Sequence, residues 1–590
     1  MKRRMNFKAC LFGALVFMGG RPGSALAQGD LNVLFAPSAA DAPTRVFTAR
    51  KILTMEPANP TATAVAVAGD RILAVGSLEE VKKALADRPF SLDERFAGKI
   101  LMPGLIEQHL HPMLGALCLS VEVIAIEDWD LPGRTIKAAA TRDEYFARLR
   151  QAHAALPDPK EFLFTWGYHQ LWHGPISRKE LDAISGTRPI VVWHRSGHEF
   201  FLNTAALAAL SLTRASLEGQ GQASRQCDWD TGHFYEKGLE LITKPLLPRL
   251  ATPQRLRAGL EMLVKYLHGC GVTTINEPGA IMTTELLALY QSVLGAENTP
   301  FSSLFIPDGR SIFERYGEDD SISATEKVVA LAPSGKVAFL PNQIKLFADG
   351  AILSQLMQMK GGYTDGHKGE WIATPQEIRA ATKLYWDAGY QIHIHVNGDL
   401  GLEVVLDALE RCMRENPRYD HRSVLVHFAN STEEQVARIA RLGAIVSANP
   451  YYPTAFADRY GKVGLDPERA DQMVRLGSLT RHGVPISLHC DLPIAPASPL
   501  FLAWCAVNRT TASGRIAGED QRISVDQALR AITIEAAYSW RMEQEMGSIA
   551  PGKVANFAVL EDDPMTVNPM KLKDIAIWGT VFEGKVCPVK

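Results

Sequence analysis

The sequence predicts a parallel α/β fold framed by a small β domain that both chain ends build. Three observations carry this reading. Strand-like runs alternate with helical stretches through the middle of the chain, short alternating strands crowd both ends, and most central strands finish on a polar or ionisable residue. With 590 residues, 46% hydrophobic and 22% charged, the chain has apolar mass for a large core and an accessory domain, which excludes disordered and collagen-like classes.

The elements follow in order. Residues 1–27 read as an export segment: Lys2, Arg3, Arg4 and Lys8 precede or edge the apolar run 9–19, and Ala25-Leu26-Ala27 offers small residues for cleavage between Ala27 and Gln28. That run is shorter than the ~20 residues needed to span a bilayer. A periplasmic or secreted protein with no stable membrane association is therefore expected. The segment carries five basic and no acidic residues, so its removal leaves 57 basic against 65 acidic residues, a balance that argues against nucleic acid as a partner. Seven cysteines remain, with no Cys-x-x-Cys pair. This leaves room for one disulfide but suggests neither a zinc ribbon nor a dense disulfide framework.

Residues 28–97 hold Val46-Phe47-Thr48-Ala49, Ala64-Val65-Ala66-Val67-Ala68 and Arg71-Ile72-Leu73-Ala74-Val75-Gly76, the last two joined by the turn Gly69-Asp70. Alternation on both sides of such a turn is a hairpin signal. Residues 540–590 look similar, with strands expected at 547–549, 555–560 and 579–586. Each end alone has too few strands for independent stability, so the two are expected to form one domain.

Between them, residues 98–539 carry strand runs at 271–277, 343–349, 389–395, 423–427, 443–448 and 484–491, with helical stretches at 375–388, 401–415 and 432–441. No glycine-rich phosphate fingerprint follows the early strands, which disfavours a dinucleotide-binding fold. Residues 120–255, with Trp166, Trp172, Trp193 and Trp229, are less regular and read as an insertion that shapes a substrate pocket.

The chemistry sits at the strand ends, where parallel α/β folds place it. In Ile106-Glu107-Gln108-His109-Leu110-His111-Pro112, side chains repeating every two residues put both imidazoles on one strand face, able to chelate one ion. Later ends add Lys345, His395, His427 and Asp491. Imidazole and carboxylate suit zinc and neighbouring divalent ions. An ammonium does not coordinate, so Lys345 has to be neutralised, converted to a carbamate or kept away from the ion. His393 and His489 lie two residues before His395 and Asp491 and face the same way, either as ligands, as residues that orient a ligand, or as packing. Glu277 ends another strand and can approach a metal or form a salt bridge.

The order His-x-His, Lys, His, His, Asp on successive strand ends, framed by a split β domain, resembles the metal-dependent amidohydrolase superfamily. Met102-Pro103-Gly104-Leu105-Ile106, Lys345-Leu346-Phe347-Ala348-Asp349-Gly350, His395-Val396-Asn397-Gly398-Asp399 and Gly547-Ser548-Ile549-Ala550-Pro551-Gly552-Lys553 narrow the resemblance to amidohydrolase family 3. The resemblance covers nearly the whole mature chain. It implies a (β/α)8 TIM-like barrel with an insertion after the first barrel strand and a small β-sandwich domain from both chain ends. Its motif often has aspartate where this chain has Asn556.

The resemblance further implies two divalent ions, zinc by preference. His109 and His111 would hold the first, His395 and His427 the second, with Lys345 carboxylated and bridging both. Asp491 would touch the first ion and move the proton of a shared hydroxide. His198 would contact the substrate or polarise its carbonyl, and Tyr168 and His169 would line the same pocket. The expected reaction is hydrolysis of a non-peptide carbon–nitrogen bond, an amide or formamide, in a small molecule. A mononuclear deaminase, an esterase or lactonase, and a non-catalytic binding or regulatory protein are the alternatives. Assembly stays open, with a homodimer among the options.

Overall fold

The computed structural model describes residues 42–589. The export segment expected over residues 1–27, with its cleavage point, lies outside them. Two compact units are distinguished: His111–Tyr266 with Leu492–Pro496, and residues 42–110 with Leu267–Asp491 and 497–589.

The larger unit contains the parallel strands β1 (Leu105–Glu107), β2 (Val272–Ala280), β3 (Ser302–Pro307), β4 (Gln343–Phe347), β5 (Gln391–Val396), β6 (Val424–His427), β7 (Ile445–Ala448) and β8 (Ile486–Leu488). One sheet orders β1, β2, β3 and the short strand Val337–Phe339, and a second orders β4 to β8 in sequence. A parallel bridge between Asp308 and Lys345 links the end of β3 to β4. Strands covered on both faces carry near-continuous apolar runs, and every residue of β6, β7 and β8 is buried.

The helices between strands start where local chemistry tells them to. Thr374 accepts from the Glu377 N–H while the Glu377 carboxylate reaches back, and Pro375 presets the first turn of Pro375–Asp387. Thr432 and Gln435 form the same reciprocal cap on Glu433–Leu442, which ends at Gly443 with φ 71°. A cap of this kind stabilises a helix by about 1 kcal/mol. In Asp399–Glu415, Leu402, Val405, Leu406, Leu409 and Cys412 fall on one buried face at helical spacing.

Strands from both chain ends share one seven-stranded sheet, ordered Lys585–Pro588, Ile577–Phe582, Phe557–Leu560, Phe90–Pro103, Thr44–Leu53, Thr61–Ala68 and Arg71–Gly76. Alternation divides its core in two. Phe47, Val65, Val67 and Ile72 pack with Phe557 and Val559 on one face. On the other, Val46, Ala64, Ala66 and Ala74 meet Val81 and Leu85 of the helix Leu78–Leu85. The expected strand at 547–549 is absent, because this segment turns instead, with Gly547 at φ 87°.

The smaller unit has its own six-stranded mixed sheet, running from Glu122–Val123 through Leu163–Tyr168, Ile190–His194, Glu199–Leu202 and His233–Tyr235 to Cys227–Asp228. Tyr145, Phe146 and Leu149 of the helix Arg142–Ala155 pack with Leu163, Ile190 and Val192. Among the described residues all seven cysteines are free, so the disulfide that the composition left room for is not formed here. No described helix is long and apolar enough to cross a membrane.

Candidate metal centre

The two histidines of the His-x-His motif were expected on a strand, but β1 ends at Glu107 and both follow it. Pro112 opens the helix Pro112–Leu119, which makes His111 its N-cap and places it at the start of the smaller unit. His109 stays with the larger unit and is 2% exposed. Gly104, just before β1, is required by close packing: a Cβ there would stand 2.1 Å from Thr273 Oγ1.

Three imidazoles converge in the larger unit. His109, His427 and His489 each present a ligand nitrogen within 4.8 Å of the others. Their rings lie 4.9 to 5.1 Å apart, and His395 joins with its ring 4.4 Å from that of His427. The Asp491 carboxylate reaches both sides of the group, with Oδ1 3.6 Å from His109 Nε2 and Oδ2 3.6 Å from His427 Nδ1. A cluster of imidazoles with a carboxylate beside it is consistent with a binuclear metal centre.

The backbone is strained where it delivers these donors. His427, Phe428 and Asp491 have φ of 76°, 53° and 56°, a region that costs a non-glycine residue roughly 1–3 kcal/mol. Hydrogen bonds hold the conformation: Asp491 N–H donates to the His109 carbonyl at 2.9 Å, and Cys490 N–H donates to Glu107 Oε1 at 2.9 Å. Burial pushes the Glu107 carboxyl up to about 8.

Lys345 lies in β4, fully buried, and its Nζ has no hydrogen-bond partner. Burial pulls the ammonium down to about 7, against the pull of the Asp491 and Asp308 carboxylates. An ammonium so buried, with only the Phe347 ring 5.4 Å from Nζ and no hydrogen bond, is costly to keep charged. A bridging anion made from this amine would remove that cost, so the residue fits a metal centre in the form the resemblance implies.

His395 is held by Asn397, whose Nδ2 donates to Nε2 at 3.0 Å. Asn397 is fixed in turn by Asp349, which accepts the N–H groups of Gln358, Asn397 and Gly398 at 2.8 to 2.9 Å. Those three donors counter the burial that pushes the Asp349 carboxyl up to about 7. The Phe-Ala-Asp-Gly and His-Val-Asn-Gly-Asp motifs are thus one interlocked structure. His393 points elsewhere: its Nε2 meets Gln343 Oε1 at 2.9 Å, and burial lowers it to about 3. Glu277 lies inside β2 and belongs to none of these ligand groups.

The substrate-side candidates all fall in the smaller unit. His198 is 49% exposed and its Nδ1 is 3.2 Å from Glu236 Oε2. Tyr168 is buried and donates its hydroxyl to the Gly174 carbonyl at 2.6 Å. His169 is buried too, and its Nδ1 accepts from the Leu171 N–H. The sequence reading underused two residues, Glu107 and His489. Each shares the period-two spacing of a donor already recognised, Glu107 with His109 and His489 with Asp491.

A fold of several mixed α/β sheets with an added β-rich region, carrying a His/Asp centre at its strand ends, defines a metal-dependent hydrolase. A profile of the amidohydrolase family matches residues 97–588, and the chain belongs to that family. It acts on non-peptide bonds, of the carbon–nitrogen or ester type. The chain is 26% identical to N-substituted formamide deformylase of Arthrobacter pascens over 544 residues, covering 90% of this chain and 96% of the relative. It is 26% identical to the protein LONG AFTER FAR-RED 3 of Arabidopsis thaliana, covering 86% and 85%. Among solved structures, an uncharacterized metal-dependent hydrolase from Pyrococcus horikoshii superposes with a TM-score of 0.67 at 20% identity, over 89% of this chain and 99% of that one. That likeness supports the TIM-barrel-like character of the fold.

Proposed function

We propose that this protein is an exported amidohydrolase that cleaves an amide or formamide bond of a small molecule at a two-ion centre. The observation that carries the reading is the convergence of three imidazoles and the Asp491 carboxylate within electrostatic reach of a buried, unbonded Lys345 amine. The 26% identity to a formamide deformylase supports the bond type. In this reading His109 and His111 hold one ion and His395 and His427 the other. In this reading the eight strands β1 to β8 close into a (β/α)8 barrel, and the strands that both chain ends contribute fold into a β-sandwich.

Divalent ions, zinc by preference, would polarise the scissile carbonyl and acidify the attacking water. The rest falls to the chain. The neutral Lys345 amine takes up carbon dioxide, forming an N–C bond and releasing a proton, and the resulting carbamate supplies two anionic oxygens where an ammonium would repel. Asp491 accepts the proton of the attacking water, whose oxygen bonds to the carbonyl carbon. As the C–N bond breaks, Asp491 returns that proton to the departing amine. His198, with its exposed ring, is assigned to the substrate. Tyr168 donates its hydroxyl to the Gly174 carbonyl and His169 Nδ1 accepts from the Leu171 N–H, and both residues are assigned to the pocket wall.

The test is amine release from N-formyl, N-acetyl and longer N-acyl amines by the full-length, zinc-loaded protein. Release that is lost on chelation and restored by zinc is expected. Hydrolysis that survives exhaustive chelation would contradict the reading, as would a metal-loaded protein that cleaves none of these substrates.

A further inference from the structure

We propose that His489 is a third imidazole ligand of this centre, presenting Nε2 beside His109 and His427, and that a buried chain of Ser539, Gln108 and Ser447 fixes the tautomer that makes this possible. The inference rests on the metal-centre reading and adds a donor that the family resemblance does not supply.

The direction of every hydrogen bond in the chain follows from its far end. Ser539 Oγ–H donates to the Ala536 carbonyl at 2.7 Å, and a carbonyl can only accept. Ser539 Oγ is then the acceptor for Gln108 Nε2–H at 3.1 Å. This orients the amide so that Gln108 Oε1 receives the Ser447 hydroxyl at 2.5 Å. With its own proton spent, Ser447 Oγ accepts from His489 Nδ1–H at 2.8 Å. The proton of the neutral ring is therefore on Nδ1, and Nε2 carries a lone pair.

That lone pair points into the donor cluster. His489 Nε2 lies 3.1 Å from His427 Nδ1, and its ring centre is 4.9 Å from that of His109. Gln108, Ser447, His489 and Ser539 are each no more than 1% exposed. Burying four polar side chains is tolerable because each has a partner. A histidine kept only for packing has no need of a four-member chain that settles which nitrogen is protonated. A ligating histidine does, because its outer N–H bond sets ring orientation and basicity. Ser447 and Gln108 are positioning residues that act through His489.

X-ray absorption at the zinc edge, with zinc affinity from chelator competition, tests this on the full-length protein. In His489→Gln, which still offers His427 an acceptor, the count of imidazoles around zinc is expected to drop and one zinc to bind more weakly. In Ser447→Ala the imidazole count is retained, but zinc affinity falls by about 10–100-fold, the usual effect of losing an outer partner of a ligand. An unchanged imidazole count and affinity in His489→Gln would overturn the proposal alone. A wild-type chain that takes up no zinc would overturn it together with the metal-centre reading. If His489→Gln does not fold, Ser447→Ala decides, and unchanged affinity there counts against it.

Discussion

Two regions of this molecule gather histidines, and they differ in where the ring nitrogens point. In the smaller unit several ring nitrogens each have a separate polar partner. His194 bonds Ser196 and Gln170, His233 bonds Glu199, and His173 lies between the His169 N–H and the Ala139 carbonyl. At the ends of β1, β6 and β8 the nitrogens of His109, His427 and His489 instead converge on one another and on Asp491. Proximity of histidines alone therefore says little. A centre able to hold a cation is recognised by donors that share one point and by outer bonds that hold them there, whereas a hydrogen-bonded cluster distributes its nitrogens among separate partners.

The sharpest way to break this contrast is His109→Ala. It removes an imidazole of the cluster that also lies 3.6 Å from the Asp491 carboxylate, and turnover is expected to fall to background with the loss of one bound ion per chain, read by elemental analysis beside the amine-release assay. Next comes Asp349→Ala, which strands two buried N–H groups, of Asn397 and Gly398, at about 1–3 kcal/mol each, and a part-buried one of Gln358. A stability loss of several kcal/mol by urea titration is expected. Metal binding should weaken too, because Asn397 would no longer steady His395.

The smallest effect belongs to the hydrogen-bonded cluster. Burial lowers His194 from 6.5 to about 4, so between those values the unfolded chain binds more protons than the native one. The stability this neutral ring contributes is complete above pH 6.5 and is lost as the pH falls through 4. The slope reaches about 1.4 kcal/mol per pH unit. His194→Gln should flatten that acid limb in thermal melts while leaving metal content unchanged. An unaltered limb would show that the ring does not titrate as its burial implies.

Much of the larger unit was legible in the sequence because its signals are local. The helix expected over 375–388 is found at Pro375–Asp387, where Thr374, Pro375 and Glu377 mark the start. The helix expected over 432–441 is Glu433–Leu442, closed by Gly443. β3 was missed because Ser302-Ser303-Leu304-Phe305-Ile306-Pro307 ends on proline and carries no ligand-type residue to draw attention. The sheet of the smaller unit was hidden because its short strands pair across long gaps, as Glu199–Leu202 does with His233–Tyr235. The spacing of His489 from Asp491 was visible, but its tautomer depends on Gln108 and Ser539, more than 300 and about 50 residues away along the chain, and no local pattern records that.

The central claim is that buried Lys345 serves a two-ion site. The most direct test is the metal content of the purified full-length protein beside Lys345→Met, measured by elemental mass spectrometry after equilibration with zinc. The account predicts two ions per wild-type chain and one in the variant. A wild-type chain without bound metal, or a variant that keeps both ions, would contradict it.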